Sequence, residues 1–217
     1  QTAVMRIGMG EIFRIVSNVV GERTMGAAQP GYRIGQGELW KHCAVTAVAA
    51  RVIAQGLGGD EWVVFTAALL HDIGKLVLST ALESAYAQVI ASTENSQQSF
   101  LEAEKAILGV DHAEVGGRLL ARWNFPNNLV GAVCHHHDPA QAKPNEQLAA
   151  YVHLGDVLAH MLGHGYGLRA YALHCHPEAL DILELTSRGL EQFLIRTAGS
   201  LEEVLALNGG IERLIQQ

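Results

Sequence analysis

Histidines and aspartates occur in this sequence in combinations that suit metal-ion chemistry. The chain has 11 histidines among 217 residues, more than a hydrophobic core requires, because histidine has only an intermediate tendency to be buried. His71 and Asp72 are adjacent in the segment LLHDIGK, and residues 135 to 137 are three consecutive histidines. Imidazole and carboxylate ligands together suit divalent ions of the Fe, Mn, Ni or Zn type, and no pair of cysteines has the spacing of a structural zinc site. The pattern predicts a metal site of the catalytic kind.

Asp72 is the candidate for a carboxylate shared by two ions. Adjacent side chains on a helix diverge by about 100°, so His71 and Asp72 reach one site only from a helix end, and Gly74 provides such an end. A carboxylate that bridges two ions roughly 3.5 to 4 Å apart gives a site that polarises a phosphoryl oxygen and lowers the pKa of bound water. The structural alternative is a histidine that simply bonds to its neighbouring aspartate at a helix end.

Helices are predicted to position these residues, because apolar side chains recur at helical spacing along most of the chain and no alternating strand pattern appears. The fold class is therefore predicted to be all-α. The expected helices cover residues 2–20, 38–55, 61 to about 74, 112 to about 123, 126 to about 135, 146–162 and a segment that starts at Pro177.

The ends of these helices carry recognisable signals. Asp60 is a candidate N-cap, and Asp111 with Glu114 resembles a capping box that places His112 in a first helical turn. Pro139 places the three histidines at a helix end, whereas Asp156 lies in the middle of a helix. The stretch from Gly21 to Gly37 is rich in glycine and is expected to be an irregular, mobile loop.

Bulk composition narrows the possible partners and location. A net charge of −7 without clustered Lys or Arg argues against general binding to nucleic acid or anionic membranes. Apolar runs are interrupted before the roughly 18 residues that a membrane span needs, and no signal peptide is visible. Three cysteines without metal-finger spacing suit a reducing compartment, so a soluble, cytoplasmic protein is expected.

The segments WKHC, LLHDIGK, DHAEVG, HHHDP and HLGD follow one another in an order that resembles the HD superfamily of metal-dependent phosphohydrolases, and specifically its HDOD branch of bacterial signalling output domains. The resemblance extends from about residue 3 to residue 160. It implies a multi-helix HD-type bundle. HDOD domains begin with an additional helical half, so the chain is expected to be a fragment that forms a single domain over 1–217, with 161–217 as a C-terminal helical extension.

The resemblance also implies a set of ligands for two divalent ions. His42 matches the leading histidine, His71 and Asp72 match the HD doublet, and Asp156 matches the closing aspartate of the first metal position. The second position corresponds to three histidines of the related HD-GYP phosphodiesterases, which match His112, His136 and His137. Lys75 corresponds to a lysine that contacts substrate phosphate in those enzymes, with a solvated helix-end charge as the alternative.

Two functions follow from the resemblance. The ligand set favours a metal-dependent phosphohydrolase or phosphodiesterase acting on a nucleotide or other phosphoester, with Asp72 and Lys75 in its catalytic site. The Gly-Tyr-Pro signature of the HD-GYP enzymes is missing after the double histidine, which favours a signal-transduction module whose partners are other signalling domains or proteins. The sequence does not determine the oligomeric state or the metal.

The remaining histidines and the tryptophans are expected to be structural. His153 lies three residues before Asp156 and either orients it or packs as an ordinary buried histidine. His160, His164, His174 and His176 are expected to be packed or exposed histidines. His135 is left outside the ligand set because the HDOD pattern places its two histidines directly before an acidic residue and proline, which aligns them with His136 and His137. Trp40, Trp62 and Trp123 are expected to lie in the core.

Overall fold

The computed structural model describes residues 25–81, 83–95, 99–165 and 175–206. Their regular structure is helical, apart from an isolated bridge between Gln29 and Ile34, which confirms the all-α prediction. The predicted helix over residues 2–20 lies outside the described residues. We label the helices in chain order as α1 Glu38–Leu57, α2 Glu61–Leu70, α3 Gly74–Ala81, α4 Glu83–Asn95, α5 Phe100–Leu108, α6 His112–Arg122, α7 Asn127–Cys134, α8 Glu146–Met161, α9 Pro177–Ile182 and α10 Ser187–Ala206.

Helix α1 lies at the centre of the bundle and packs against α2, α8 and α10. Most of its residues are buried, so it is apolar on several faces rather than on one stripe. Gly155 of α8 faces α1 so closely that a Cβ atom there would lie 2.7 Å from the Cβ of Ala50 and 2.8 Å from the carbonyl oxygen of Thr46. Glycine at this position lets the two helices approach, which brings Asp156 next to His42.

A second close contact involves the turn between α2 and α3. Helix α2 starts at the predicted cap, where the Asp60 side chain accepts hydrogen bonds from the backbone N–H groups of Trp62 and Val63. It ends at Leu70, and residues 71 to 73 turn the chain into α3. A Cβ atom on Gly74 would overlap the carbonyl oxygen of His112. The start of α3 therefore rests directly on the start of α6.

Helix α6 begins as predicted, but through a simpler cap. The Asp111 side chain accepts a hydrogen bond from the backbone N–H of Glu114. A capping box would also need the Glu114 carboxylate to accept from the backbone N–H of Asp111. That carboxylate pairs instead with Lys105 at 3.2 Å. A complete box forms instead between Ser99 and Glu102 at the start of α5.

The glycine-rich stretch before α1 is irregular as predicted, but residues 25 to 37 are packed rather than loose. Pro30–Tyr32 form a 3-10 turn, and Met25, Tyr32 and Ile34 are buried. The Tyr32 ring contacts Tyr86 of α4 and Phe100 of α5. This segment therefore belongs to the core.

The three tryptophans differ in their exposure. Trp123 is 47% exposed at the C-cap of α6, so its prediction as a core residue is wrong. Trp40 packs against the core, and the Trp62 ring lies under the Arg51 guanidinium.

In the described part of the chain, the segment Glu61–Thr80 is long and apolar enough to cross a membrane by composition alone. Since 78% of its most apolar window is buried inside the bundle, it is weak evidence for a membrane span.

Candidate metal centre

The structure brings all seven side chains of the predicted ligand set to one place in the bundle. They come from five separate parts of the chain: α1, the turn between α2 and α3, the start of α6, the turn after α7, and the middle of α8. All are buried except His137, which is half-buried. They form two clusters with Asp72 between them; the first cluster is His42, His71 and Asp156, and the second cluster is His112, His136 and His137.

The first cluster is a close arrangement of two imidazoles and a carboxylate. The Nε2 atoms of His42 and His71 are 3.3 Å apart. Oδ1 of Asp156 lies 3.1 Å from Nε2 of His42 and 3.9 Å from Nε2 of His71. Helices α1 and α8 supply His42 and Asp156, so the Gly155 contact between these helices sets their separation.

The second cluster consists of histidines from helix ends. His112 is the first residue of α6, and His136 and His137 lie in the turn after α7. The Nε2 atoms of His112 and His137 are 2.9 Å apart, and the ring centroids of His136 and His137 are 4.0 Å apart. The rings of His71 and His136, with centroids 5.0 Å apart, connect the two clusters.

Asp72 presents one carboxylate oxygen to each cluster. Oδ2 lies 3.4 Å from Nε2 of His71 and 3.8 Å from Nε2 of His42. Oδ1 lies 3.3 Å from Nε2 of His112. This is the placement that a carboxylate shared between two ions requires.

The protonation of the imidazoles suits metal binding. Nδ1 of four rings lies 2.7 to 2.9 Å from an oxygen that can only accept: the carbonyls of His164, Ala68 and Val133 for His42, His71 and His136, and the Glu104 carboxylate for His112. Nδ1 therefore carries the proton in each neutral ring, and the Nε2 lone pair faces the site. Nε2 of His136 is buried without a hydrogen-bond partner among the described residues.

A short contact between Nε2 atoms strengthens this fit in the first cluster. The Nε2 lone pairs of His42 and His71 face each other at 3.3 Å and repel unless a proton or cation lies with them. In the second cluster, the Nε2 atoms of His112 and His137 are 2.9 Å apart, a distance that a hydrogen bond between the two rings also satisfies. The donors are imidazole nitrogens and carboxylate oxygens, which are the ligands of first-row divalent ions. The residues present therefore fit metal ions.

Charge differs between the two clusters. Burial disfavours the imidazolium of His71, but the adjacent Asp72 carboxylate outweighs burial and raises the pKa of His71 well above its usual value. Burial also favours neutral carboxyl groups, yet His71 and Lys75 hold the pKa of Asp72 well below normal, and His42 does the same for Asp156.

In the second cluster, burial and neighbouring imidazoles lower the pKa of both His136 and His137 well below the usual value. Their rings are therefore neutral, which is the form that binds a metal. The first cluster holds a proton that a cation would displace, whereas His136 and His137 of the second are already in the form that binds a metal.

Glu104 is a functional residue that the sequence analysis missed. It is fully buried in α5, and its Oε2 accepts hydrogen bonds from both the backbone N–H and Nδ1 of His112. Its Oε1 accepts from the hydroxyls of Tyr32 and Tyr86, each at 2.7 Å. Burial opposes its ionisation, but His112 and the two hydroxyls lower the pKa of Glu104 to about 2. Glu104 thus fixes the orientation of His112 behind the second cluster.

Lys75 is not a solvated helix-end charge. Its Nζ lies 2.7 Å from Oδ2 of Asp72, and its side chain is 13% exposed. It lies at the edge of the site beside the Asp72 carboxylate.

Among the other histidines, His153 supports the protein chain around the site rather than Asp156. Its Nδ1 donates to the carbonyl oxygen of His136, and its Nε2 accepts from the backbone N–H of His176. His135 ends α7 and belongs to none of the candidate metal-binding groups among the described residues. His174 lies outside the described residues.

Comparisons with known proteins concern the family and the fold of this chain. The family model of the HDOD domain matches residues 1–139. The crystal structure of a "putative phosphohydrolase" from Shewanella amazonensis superposes with a TM-score of 0.67 at 23% identity, covering 91% of this chain and 71% of that one. The crystal structure of a "putative signal transduction protein" from Marinobacter aquaeolei superposes with a TM-score of 0.63 at 22% identity, covering 80% of this chain and 39% of that one.

A curated relative at higher identity is Ribonuclease Y from Sulfurovum, which is 30% identical over 129 residues, 59% of this chain and 20% of that protein. The chain spans between 13% and 34% of the length of five curated relatives that it matches. The crystal structures above share its fold.

Proposed function

This chain belongs to the HDOD domain family, and we propose that it is a signal-transduction output domain that holds two divalent metal ions, one in each histidine cluster. Ions of the Fe, Mn, Ni or Zn type suit the donors. The first ion would be held by His42, His71, Asp72 and Asp156, and the second by Asp72, His112, His136 and His137. Its partners would be other signalling domains or proteins.

The two-sided placement of Asp72 carries the proposal. One oxygen lies 3.4 Å from Nε2 of His71, and the other lies 3.3 Å from Nε2 of His112. A buried carboxylate held by a single histidine would not explain why a second group of histidines lies against its other oxygen. A shared ligand between two ions accounts for both.

Two observations favour an output domain over an enzyme. Lys75, the residue proposed to contact phosphate, is paired with Asp72. The Gly-Tyr-Pro signature is missing from the sequence after His137. The packing of α10 against α1 also supports the proposal that residues 161–217 extend a single domain.

The second candidate is a metal-dependent phosphohydrolase acting on a nucleotide or other phosphoester. The complete ligand set favours it, as does the similarity to Ribonuclease Y, whose name denotes a phosphodiesterase. Bound ions would supply Lewis-acid polarisation of a phosphoryl oxygen. The chain itself would supply Lys75 to bind the phosphate and Asp72 to hold the ions.

Elemental analysis combined with hydrolysis of bis(p-nitrophenyl) phosphate tests both candidates. We would compare the wild type, Asp72→Ala, and Asp181→Ala as a matched control on the exposed surface of α9. Two ions per chain without turnover, both lost in Asp72→Ala only, is the result expected for the output domain. Two ions with turnover that depends on Asp72 selects the enzyme, and a wild type without metal contradicts both.

A further inference from the structure

His160 lies beside the first cluster although the sequence analysis treated it as an ordinary histidine. It follows Asp156 by one helical turn on α8, so the two side chains share a helix face. Its Nε2 is 3.5 Å from Oδ1 of Asp156. Its ring meets that of His42 edge-on, with centroids 5.1 Å apart.

We propose that His160 is a further ligand of the ion in the first cluster. The inference rests on the proposed function, since it requires that an ion is held there. His160 is 18% exposed, so it approaches this position from the outer side of the site, whereas His71 and Asp72 are deeply buried.

The grouping of donor atoms points to one ion rather than two at this position. The potential ligand atoms of His42, Asp156 and His160 lie within 4.8 Å of one another, and so do those of His42, His71 and Asp72. Both groups contain His42, whose Nδ1 donates to a carbonyl and whose Nε2 has a single lone pair. One lone pair binds one ion, so the proposal requires a single ion at His42 to serve both groups.

The distances agree with common ligation. Nitrogen and oxygen ligands lie about 2.0 to 2.2 Å from such an ion, so two of them are separated by at most about 4.4 Å. From Oδ1 of Asp156, Nε2 of His42 is at 3.1 Å and Nε2 of His160 is at 3.5 Å. The latter is longer than an ordinary N–H···O hydrogen bond, but it suits two donors that face one ion.

The end of α8 holds His42 independently of His160. The helix terminates at Met161, and the following turn directs the carbonyl oxygen of His164 to Nδ1 of His42 at 2.9 Å. The same five-residue segment therefore orients the His42 ring and places the His160 ring beside it. That both features occur at one helix end supports a role of this segment in the first metal position.

A fifth protein ligand would change what the first ion can do. Catalytic sites keep an open coordination position, whereas structural sites are filled by protein donors. With His42, His71, Asp72, Asp156 and His160 around it, the first ion would have little room for a reacting molecule. His160 thus deepens the proposal of an output domain, in which the ion fixes the fold.

Cobalt binding to the full chain tests the role of His160. We would measure Co²⁺ affinity by chelator competition and record the visible absorption of the bound ion for the wild type, His160→Gln and His135→Gln. His135 is the matched control because it adjoins the site but belongs to neither cluster. We expect His160→Gln to weaken one of two Co²⁺ ions by at least about tenfold and to change its absorption spectrum, and His135→Gln to change neither.

A measurement on the unsubstituted protein keeps the inference testable if His160→Gln folds poorly. In ¹H–¹⁵N spectra of the histidine rings, binding of Zn²⁺ should give Nε2 of His160 the shift of a metal-bound nitrogen. A His160 ring that stays unshifted while the rings of His42 and His71 shift would overturn this inference and leave the two-metal proposal standing. If no ring shifts and the wild type binds no metal, the proposed function itself fails.

Discussion

The two clusters differ in how the chain builds them, although both consist of buried imidazoles. The first draws His42 and Asp156 from the interiors of two long helices and contains a carboxylate of its own. The second draws its histidines from helix ends, and its supporting carboxylate, Glu104, lies behind His112 rather than at the site. This difference indicates that the negative charge of Asp156 would attract the first ion. The second ion would depend instead on the orientation of the histidine rings.

The comparison predicts that the two positions can be emptied separately. His136→Ala removes the imidazole whose Nε2 has no hydrogen-bond partner among the described residues. We expect it to weaken the second ion by more than about 100-fold, since losing a direct ligand exceeds the cost of losing a supporting partner. The first ion should remain. Isothermal titration with Zn²⁺ and elemental analysis measure both.

Asp156→Ala makes the corresponding test of the first position. It should empty the first position and leave the second occupied, because Oδ1 of Asp156 lies 3.1 Å from Nε2 of His42 and 3.9 Å from Nε2 of His71, both in the first cluster. If either substitution removed both ions, the two clusters would not be separable and the comparison would be wrong.

A smaller effect is expected when the support of the second cluster is altered. Glu104→Gln places an amide group among four donors, the Tyr32 and Tyr86 hydroxyls and the two N–H groups of His112. At least one donor then meets an N–H instead of an oxygen, which should cost about 1 to 3 kcal/mol of unfolding free energy. The second ion should weaken by about 10- to 100-fold. Urea denaturation and Zn²⁺ titration measure the two effects.

Tyr86→Phe is the control for that substitution. It removes one donor to Oε1 of Glu104 while leaving the Oε2 contacts with His112 intact. We expect a loss of about 1 kcal/mol in stability with unchanged affinity for the second ion. Equal effects of both variants on metal affinity would mean that Glu104 acts through packing and not through His112.

The first cluster should respond instead to the helix contact behind it. In Gly155→Ala the added methyl group would press on Ala50 and Thr46, which should lower the unfolding free energy by about 1 to 3 kcal/mol. Any shift of α8 moves Asp156 relative to His42, so only the first ion should weaken. Gly131→Ala is the matched control, since its Cβ atom would have no neighbour closer than 3.7 Å.

The smallest effect is expected at the surface beside the second cluster. Lys105 pairs with Asp111 and Glu114, but its side chain is 54% exposed. Lys105→Met should change the unfolding free energy by less than about 1 kcal/mol and leave both ions bound. A clear loss of the second ion would show that this cluster depends on its surface as well as on Glu104.

The sequence predicted the fold best where local signals mark a helix. The helices that start at Glu38, His112 and Glu146 end within two residues of their predicted ends. No helix was predicted between residues 76 and 110, because the charged and polar residues there resemble a solvated face, although Tyr86 and Val89 are fully buried. In this region, Glu104 lies four residues after Phe100 and three residues before Ile107, and both of these side chains pack against the core. This helical spacing was the signal that could have predicted the burial of Glu104.

The site was predicted from motif order and not from physical spacing. No local pattern indicates that the start of α6 rests on the turn after α2, since that contact depends on the packing of the whole bundle. His160 had a local signal, its separation of four residues from Asp156, but that spacing is common on surface helices. The roles of these residues as metal ligands stay proposals.

The contact of Gly74 with the carbonyl of His112 makes the spacing of the two clusters a property of the main chain. Asp72 and His112 are attached to backbone segments that touch without an intervening side chain, so neither repacking nor a ligand substitution can bring the two positions closer together. Ions of different radius would have to be accommodated by rotation of the imidazole rings. Any residue larger than glycine at position 74 would separate the two halves, whatever ligands they retain.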